Sequence, residues 1–219
     1  MIPTNALKNG GGSCDFTIEV IGEGMAVAAP DRTHITLGVV TEGKDVQPAQ
    51  KENAEKIEAI IAALERLGVP RENIQTKTYS IEPQYDYADG VQTFRGYKVT
   101  HLLGITLDGV AGAGAVIDAA VAQGANAITD IVFLSSESAK FEALALREAV
   151  RSAQEKAAAI AGALGVSLSA IPCKVQELGQ EAAPIRFKTA ALSMADSQTP
   201  IEPGQLTFRA AVRVWYVFA

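Results

Sequence analysis

The sequence predicts an α+β fold with mainly antiparallel sheets and three helices. Paired strand segments of hairpin type outnumber strand–helix–strand crossovers. Helical stretches marked by apolar spacing or dense alanine separate those pairs. The chain also closes on a cleanly alternating strand. The predicted order is β-β-α-β-β-α-β-α-β-β, and the helix pairs suggest two lobes. A repeated ββα unit is not evident in the residues.

Residues 1 to 14, which include GGGS, read as a flexible leader. Residues 15 to 219 read as one folded domain. "FTIEVIGEGMAVAAPDRTHITLGVVTEG" gives two strands around a turn at Pro30-Asp31. In the second of these, Ile35, Leu37 and Val39 alternate with His34, Thr36 and Gly38, the period of a half-buried strand. A helix follows over about 46 to 67, where Ile57, Ile60, Ile61 and Leu64 form one apolar face. Gly68 ends it, and Pro70 prevents it from resuming.

"NIQTKTYSIEPQYDY" and "TFRGYKVTHLLGITL" form a long hairpin, closed by Asp89-Gly90. Tyr97, Val99, Leu103, Ile105 and Leu107 share one face of its second arm. Pro83 predicts an edge or a bulge in the first arm. A second helix spans about 110 to 123 and stops at Gly124. Residues 127 to 135 make a strand whose consecutive Ile131, Val132, Phe133 and Leu134 predict cover on both faces. Ser135, Ser136 and Ser138 are N-cap candidates for the longest helix, about 139 to 164. That helix carries Phe141, Leu144, Val150, Ile160 and Leu164, with many alanines that permit close packing. Gly165 closes it. "SLSAIPCKVQEL" reads as a strand, 179 to 204 as a polar connection, and "QLTFRAAVRVWYVF" as the last strand.

Composition excludes some functions. The 219 residues are 48% hydrophobic and 20% charged, with net charge −6. A nucleic-acid surface needs clustered Lys and Arg, and no basic run exists. No run of eighteen apolar residues offers a membrane span. Cys14 and Cys173 are the only cysteines, and the sequence leaves their pairing open.

His34 and His101 are the only histidines, both on predicted strands, and no GxSxG elbow accompanies them. No Cys/His cluster has the spacing of a metal site. "GVAGAGAVID", 109 to 118, has GxxGxG rather than GxGxxG spacing and follows a hairpin arm, so it reads as small residues for close packing. Catalytic residues, a cofactor and a metal are therefore not expected. Tyr79, Tyr85, Tyr87, Phe94 and Tyr97, interleaved with Arg95 and Lys98, lie on the long hairpin. Cross-strand packing explains them, and an exposed part of the hairpin would serve self-association or partner binding. Glu82, Asp86 and Asp89 are the local carboxylates of that hairpin's tip. In "GAN", Gly124 suits a left-handed helix cap and Asn126 a side-chain bond to local backbone.

Six stretches together resemble the SIMPL-domain family: "IEVIGEGMAVAAPDRTHITLGV", "GVPRENIQTKTYSIEPQYDY", "GYKVTHLLGITL", "VIDAAVAQGANAITDIVF", "ALREAVRSAQEKAAAIAGALG" and "GQLTFRAAVRVWYVF". They run in the family's order over about residues 17 to 218. The resemblance implies a bacterial periplasmic or cell-envelope protein, in a family with some members linked to oxidative-stress tolerance. It implies no catalytic residues. The start of the chain lacks an export signal, for which a trimmed N-terminus and cytoplasmic residence are the alternatives. The expected function is non-catalytic, by self-assembly into a homo-oligomer or by contact with a protein partner. The alternative is an enzyme or small-ligand binder with a site between lobes, its ligand unnamed by the sequence.

Overall fold

The computed structural model describes residues 16–88, 90–179 and 199–219. In chain order the elements are β1 (Thr17–Ala28), β2 (Arg32–Gly43), α1 (Val46–Arg66), β3 (Ile74–Ala88), β4 (Val91–Asp108), α2 (Ala113–Ala122), β5 (Ala127–Leu134), α3 (Ser138–Leu164), β6 (Lys174–Leu178) and β7 (Leu206–Val217). This is the predicted α+β order. The chain divides into two compact units. One draws its described residues from 29–136 and 199–206, the other from 16–28, 137–179 and 207–219.

The first unit holds a four-stranded sheet in the order β3-β4-β2-β5, paired antiparallel throughout. Alternation puts Ile35, Leu37 and Val39 of β2 on one face with Leu103 and Ile105 of β4. Ile57, Ile60 and Leu64 of α1 close over that face, and Val116, Ile117 and Ala120 of α2 join them. Burying such side chains contributes roughly 1.5–3 kcal/mol each, so this apolar layer is the main source of stability here. Asn53 is the polar exception in α1. It is buried and donates through Nδ2 to the Val39 carbonyl at 3.0 Å, tying helix to sheet. Gly68 ends α1 with φ of +87°, a conformation that glycine adopts without strain. Pro83 sits on β3, which is an edge strand, beside a register shift at Gln84/Tyr85. An edge is where a missing N–H does no harm.

The second unit holds the three-stranded sheet β1-β7-β6 and α3. Val212, Val214 and Tyr216 of β7 and Ile18 and Val20 of β1 form its core with Ala149, Ala153, Ala157 and Ala161 of α3. Gly22 and Gly24 explain the closeness of this packing. A Cβ at Gly22 would overlap the Ala149 carbonyl, and one at Gly24 the Ala145 carbonyl. The helix therefore lies with its backbone against the strand.

Several expectations need correction. The strands around Pro30-Asp31 do not pair: β1 and β2 belong to different sheets. The buried face of α3 is a stripe of five alanines, whereas Leu144, Val150, Ile160 and Leu164 are exposed. Glu137, not a serine, precedes α3, and no side chain caps it. Helix α2 begins three residues later than predicted, at Ala113. β5 is an edge strand with no fully buried residue, not a strand covered on both faces. β6 covers only Lys174–Leu178, because residues 167–173 make isolated bonds to the end of the chain rather than a ladder. The leader, Cys14, Asp89 and most of the polar connection lie outside the described residues.

Candidate functional site: an aromatic arm

The long hairpin extends beyond the sheet that supports it. β4 pairs with β2 only from Tyr97 to Asp108, while its pairing with β3 continues to Ala88↔Val91. Residues beyond Pro83↔Tyr97 therefore form a two-stranded arm. Period-two alternation decides which side chains share its faces. Ile81↔Val99, Pro83↔Tyr97 and Tyr85↔Phe94 are successive pairs on one side. Val99 is fully buried on that side, so the arm's aromatic face is the outward continuation of the core face.

The rings pack edge-to-face. Phe94 lies 5.2 Å from Tyr97 and 5.8 Å from Tyr85, centroid to centroid. Such pairs add stability beyond area burial. Even so, Phe94 is 47% exposed, Tyr85 44% and Tyr87 75%. Farther down the hairpin, Tyr79 meets the His101 ring at 5.2 Å. Glu82 and Asp86 lie on the opposite face, across from Lys98 and Thr93. Four residues of strand separate those two carboxylates by about 13 Å, too far for a shared proton or ion.

At the base, Arg95 is the extra residue of a bulge, and its Nη2 donates to Glu42 Oε2 on β2 at 2.6 Å. Gly96 follows with φ of +153°, and a Cβ there would meet the Gly43 carbonyl oxygen at 2.6 Å. Sequence reading missed this corner. An Arg-Gly step inside a strand pattern was its only local signal.

The histidines are not brought together. His34 and His101 fall on opposite faces of the sheet, because Val39, the partner of His101, is an odd number of residues from His34. His34 Nδ1 lies 3.3 Å from Thr106 Oγ1, and His101 Nε2 lies 3.1 Å from Thr76 Oγ1. Burial pushes the His101 pKa below its ordinary value, which favours the neutral ring. Among the described residues, no three of His, Cys, Asp and Glu are grouped to hold a metal. Lys77, another residue missed from sequence, reaches past Gly104 to donate to the buried Thr36 hydroxyl at 3.0 Å.

The remaining candidates have structural roles. In "GVAGAGAVID", Gly114 leaves room for the Thr199 carbonyl, and Asp118 accepts from the Thr199 amide at 3.0 Å and hydroxyl at 2.5 Å. Those two bonds hold the Asp118 carboxyl below its usual pKa. The stretch thus seats a crossing chain. Gly124 takes φ of +96° at the end of α2, as a left-handed cap requires. Asn126 does not bond the local turn. Its Oδ1 accepts from the Val40 amide at 2.7 Å and its Nδ2 donates to the Val40 carbonyl at 2.8 Å. An amide side chain thereby continues the β2–β5 ladder one step beyond Gly38↔Ala127. Ser136 donates from both amide and hydroxyl to Asp31.

The chain is 27% identical to the "26 kDa periplasmic immunogenic protein" of Brucella melitensis over 223 residues, which is 97% of this chain and 89% of that protein. The protein of the same name from Brucella abortus matches to the same extent. The "Uncharacterized protein YggE" of Escherichia coli K12 is 26% identical over 110 residues, half of this chain and 45% of that protein. No described helix is long and apolar enough to cross a membrane. The SIMPL model, described as a protein of unknown function (DUF541), matches residues 18–216, across both compact units, and the chain belongs to that family.

Proposed function

We propose that this is a non-catalytic protein of the periplasm or cell envelope that works by protein contact, associating with further copies of itself through the β3–β4 arm. One observation carries the reading. The apolar face of the four-stranded sheet runs out past the core onto the arm, where Tyr85, Tyr87 and Phe94 stay exposed. Exposed aromatic rings are among the side chains that dominate protein interfaces. The net charge of −6 favours protein over nucleic acid as the partner. The periplasmic setting is taken from the Brucella relatives, whose name calls them periplasmic. The link to oxidative-stress tolerance rests on the family resemblance alone, and peroxide challenge of a deletion strain checks it.

Sedimentation velocity tests the contact. The wild-type chain associates as concentration rises, and the double variant Tyr87→Ser/Phe94→Ser stays monomeric at unchanged helix content. A wild-type chain that remains monomeric at every concentration overturns the proposal.

A second reading has its own observation. A cavity of about 320 Å³ opens among Leu67, Val69, Pro70, Thr106, Leu107 and Val116. That volume is at the lower end for small-molecule sites. A thermal-shift screen with metabolites checks it, a saturable rise in melting temperature being the supporting result.

A further inference from the structure

Residues on the arm are held to the sheet at one end only. A two-stranded ribbon is weakly stable by itself, so its direction must be fixed where it joins. The six residues from Val91 to Gly96 span about 20 Å of extended chain, and a 20° change at the base would displace the tip by about 7 Å. Contact between copies requires side chains to meet within a fraction of that distance.

Three features converge at the base. The bulge at Arg95 bends the ribbon and re-aims its side chains. The Gly96–Gly43 approach brings the bent strand against the end of β2, where a side chain would not fit. The Arg95–Glu42 bond at 2.6 Å then crosses from the arm to the sheet. We infer that Arg95 is the positioning residue of the arm: its clasp on Glu42 fixes the angle at which the aromatic face leaves the sheet, and hence the geometry in which another copy meets it. This inference rests on the arm being the contact surface. Both partners are about half exposed, so the clasp adds little to folding stability. Its effect falls on association, because an arm fixed in advance loses less freedom on binding.

Two measurements on the full chain test this. In the first, spin labels at Val91→Cys and Ala62→Cys report the arm's direction, with Cys14 and Cys173 replaced by Ser. The distance distribution is narrow with Arg95 present, broad in Arg95→Ala, and narrow again in the charge-reversed pair Glu42→Arg/Arg95→Glu. In the second, sedimentation velocity follows self-association. Arg95→Ala and each single reversal weaken it about tenfold at unchanged melting temperature, and the double reversal restores it to within about threefold. An equally narrow distribution in Arg95→Ala overturns the clasp whatever the protein associates with. Unchanged association in Arg95→Ala, when Tyr87→Ser/Phe94→Ser abolishes it, overturns the clasp and leaves the arm as the contact. Association that survives Tyr87→Ser/Phe94→Ser overturns the arm reading itself.

Discussion

Helices α1 and α3 both cover a sheet, but with opposite side chains. α1 presents Ile57, Ile60 and Leu64 to β2 and β4. α3 presents Ala145, Ala149, Ala153, Ala157 and Ala161, and β1 answers with Gly22 and Gly24. Large side chains gain stability from apolar area removed from water. Small ones gain it from backbone proximity and the many dispersion contacts that proximity allows. The two layers should therefore fail in opposite ways, one by loss of volume and the other by its addition.

Ile60→Ala should have the largest effect. Ile60 is fully buried among large neighbours, and truncation leaves a cavity that the sheet cannot fill. The expected cost is about 2–5 kcal/mol. Gly22→Ala comes next, at about 1–3 kcal/mol, because the added methyl meets helix backbone rather than a movable side chain. The fluorescence of Trp215, the single tryptophan, reports on the unit built on α3, and far-ultraviolet circular dichroism on the whole chain. If Gly22→Ala melts as wild type by both probes, the close-packed account of α3 is wrong.

This contrast also explains what the sequence could disclose. The face of α1 was legible because bulky apolar residues at i, i+3 and i+4 stand out against Lys and Glu. The face of α3 was not, because alanine gives little contrast and the bulky Leu144, Val150, Ile160 and Leu164 drew the reading to exposed positions. Only Gly22 and Gly24, more than 120 residues earlier, mark where that helix must dock. The aromatic alternation of the arm was visible along the chain. Its corner was not, since Glu42 and Arg95 are 53 residues apart and neither looks unusual alone. In Asn126 the structural role was legible and the partner was not, for Val40 lies 86 residues away.

Asn126→Ala sharpens the comparison from the polar side. The substitution removes two bonds to the Val40 backbone at the end of a ladder, where water can replace part of the loss. The expected cost is about 1 kcal/mol, below that of either packing change. Chemical denaturation followed by circular dichroism measures it, and self-association should not change. Lost association at unchanged stability would instead make Asn126 part of a contact surface.

The smallest effect expected is one that acid removes. Asp31 accepts the Ser136 hydroxyl first and the Ser136 amide second, and both bonds hold its carboxyl below the ordinary value of 3.8. A carboxylate whose folded pKa is depressed contributes stability above its unfolded pKa and loses it as pH falls through the folded value. Asp31→Asn should therefore melt slightly lower than wild type at pH 7 and at pH 5 by the same margin. Below about pH 3.8 the margin should begin to shrink, and it should vanish once Asp31 of the folded wild type is protonated as well. Solvent exposure keeps this difference small. The Asp31–Ser136 pair belongs to the unit built on α1, so a probe of that unit should register the change before Trp215 does. A margin that stays constant to pH 2 would mean that the carboxamide loses geometry rather than charge, and that the Ser136 bonds do not depend on ionisation.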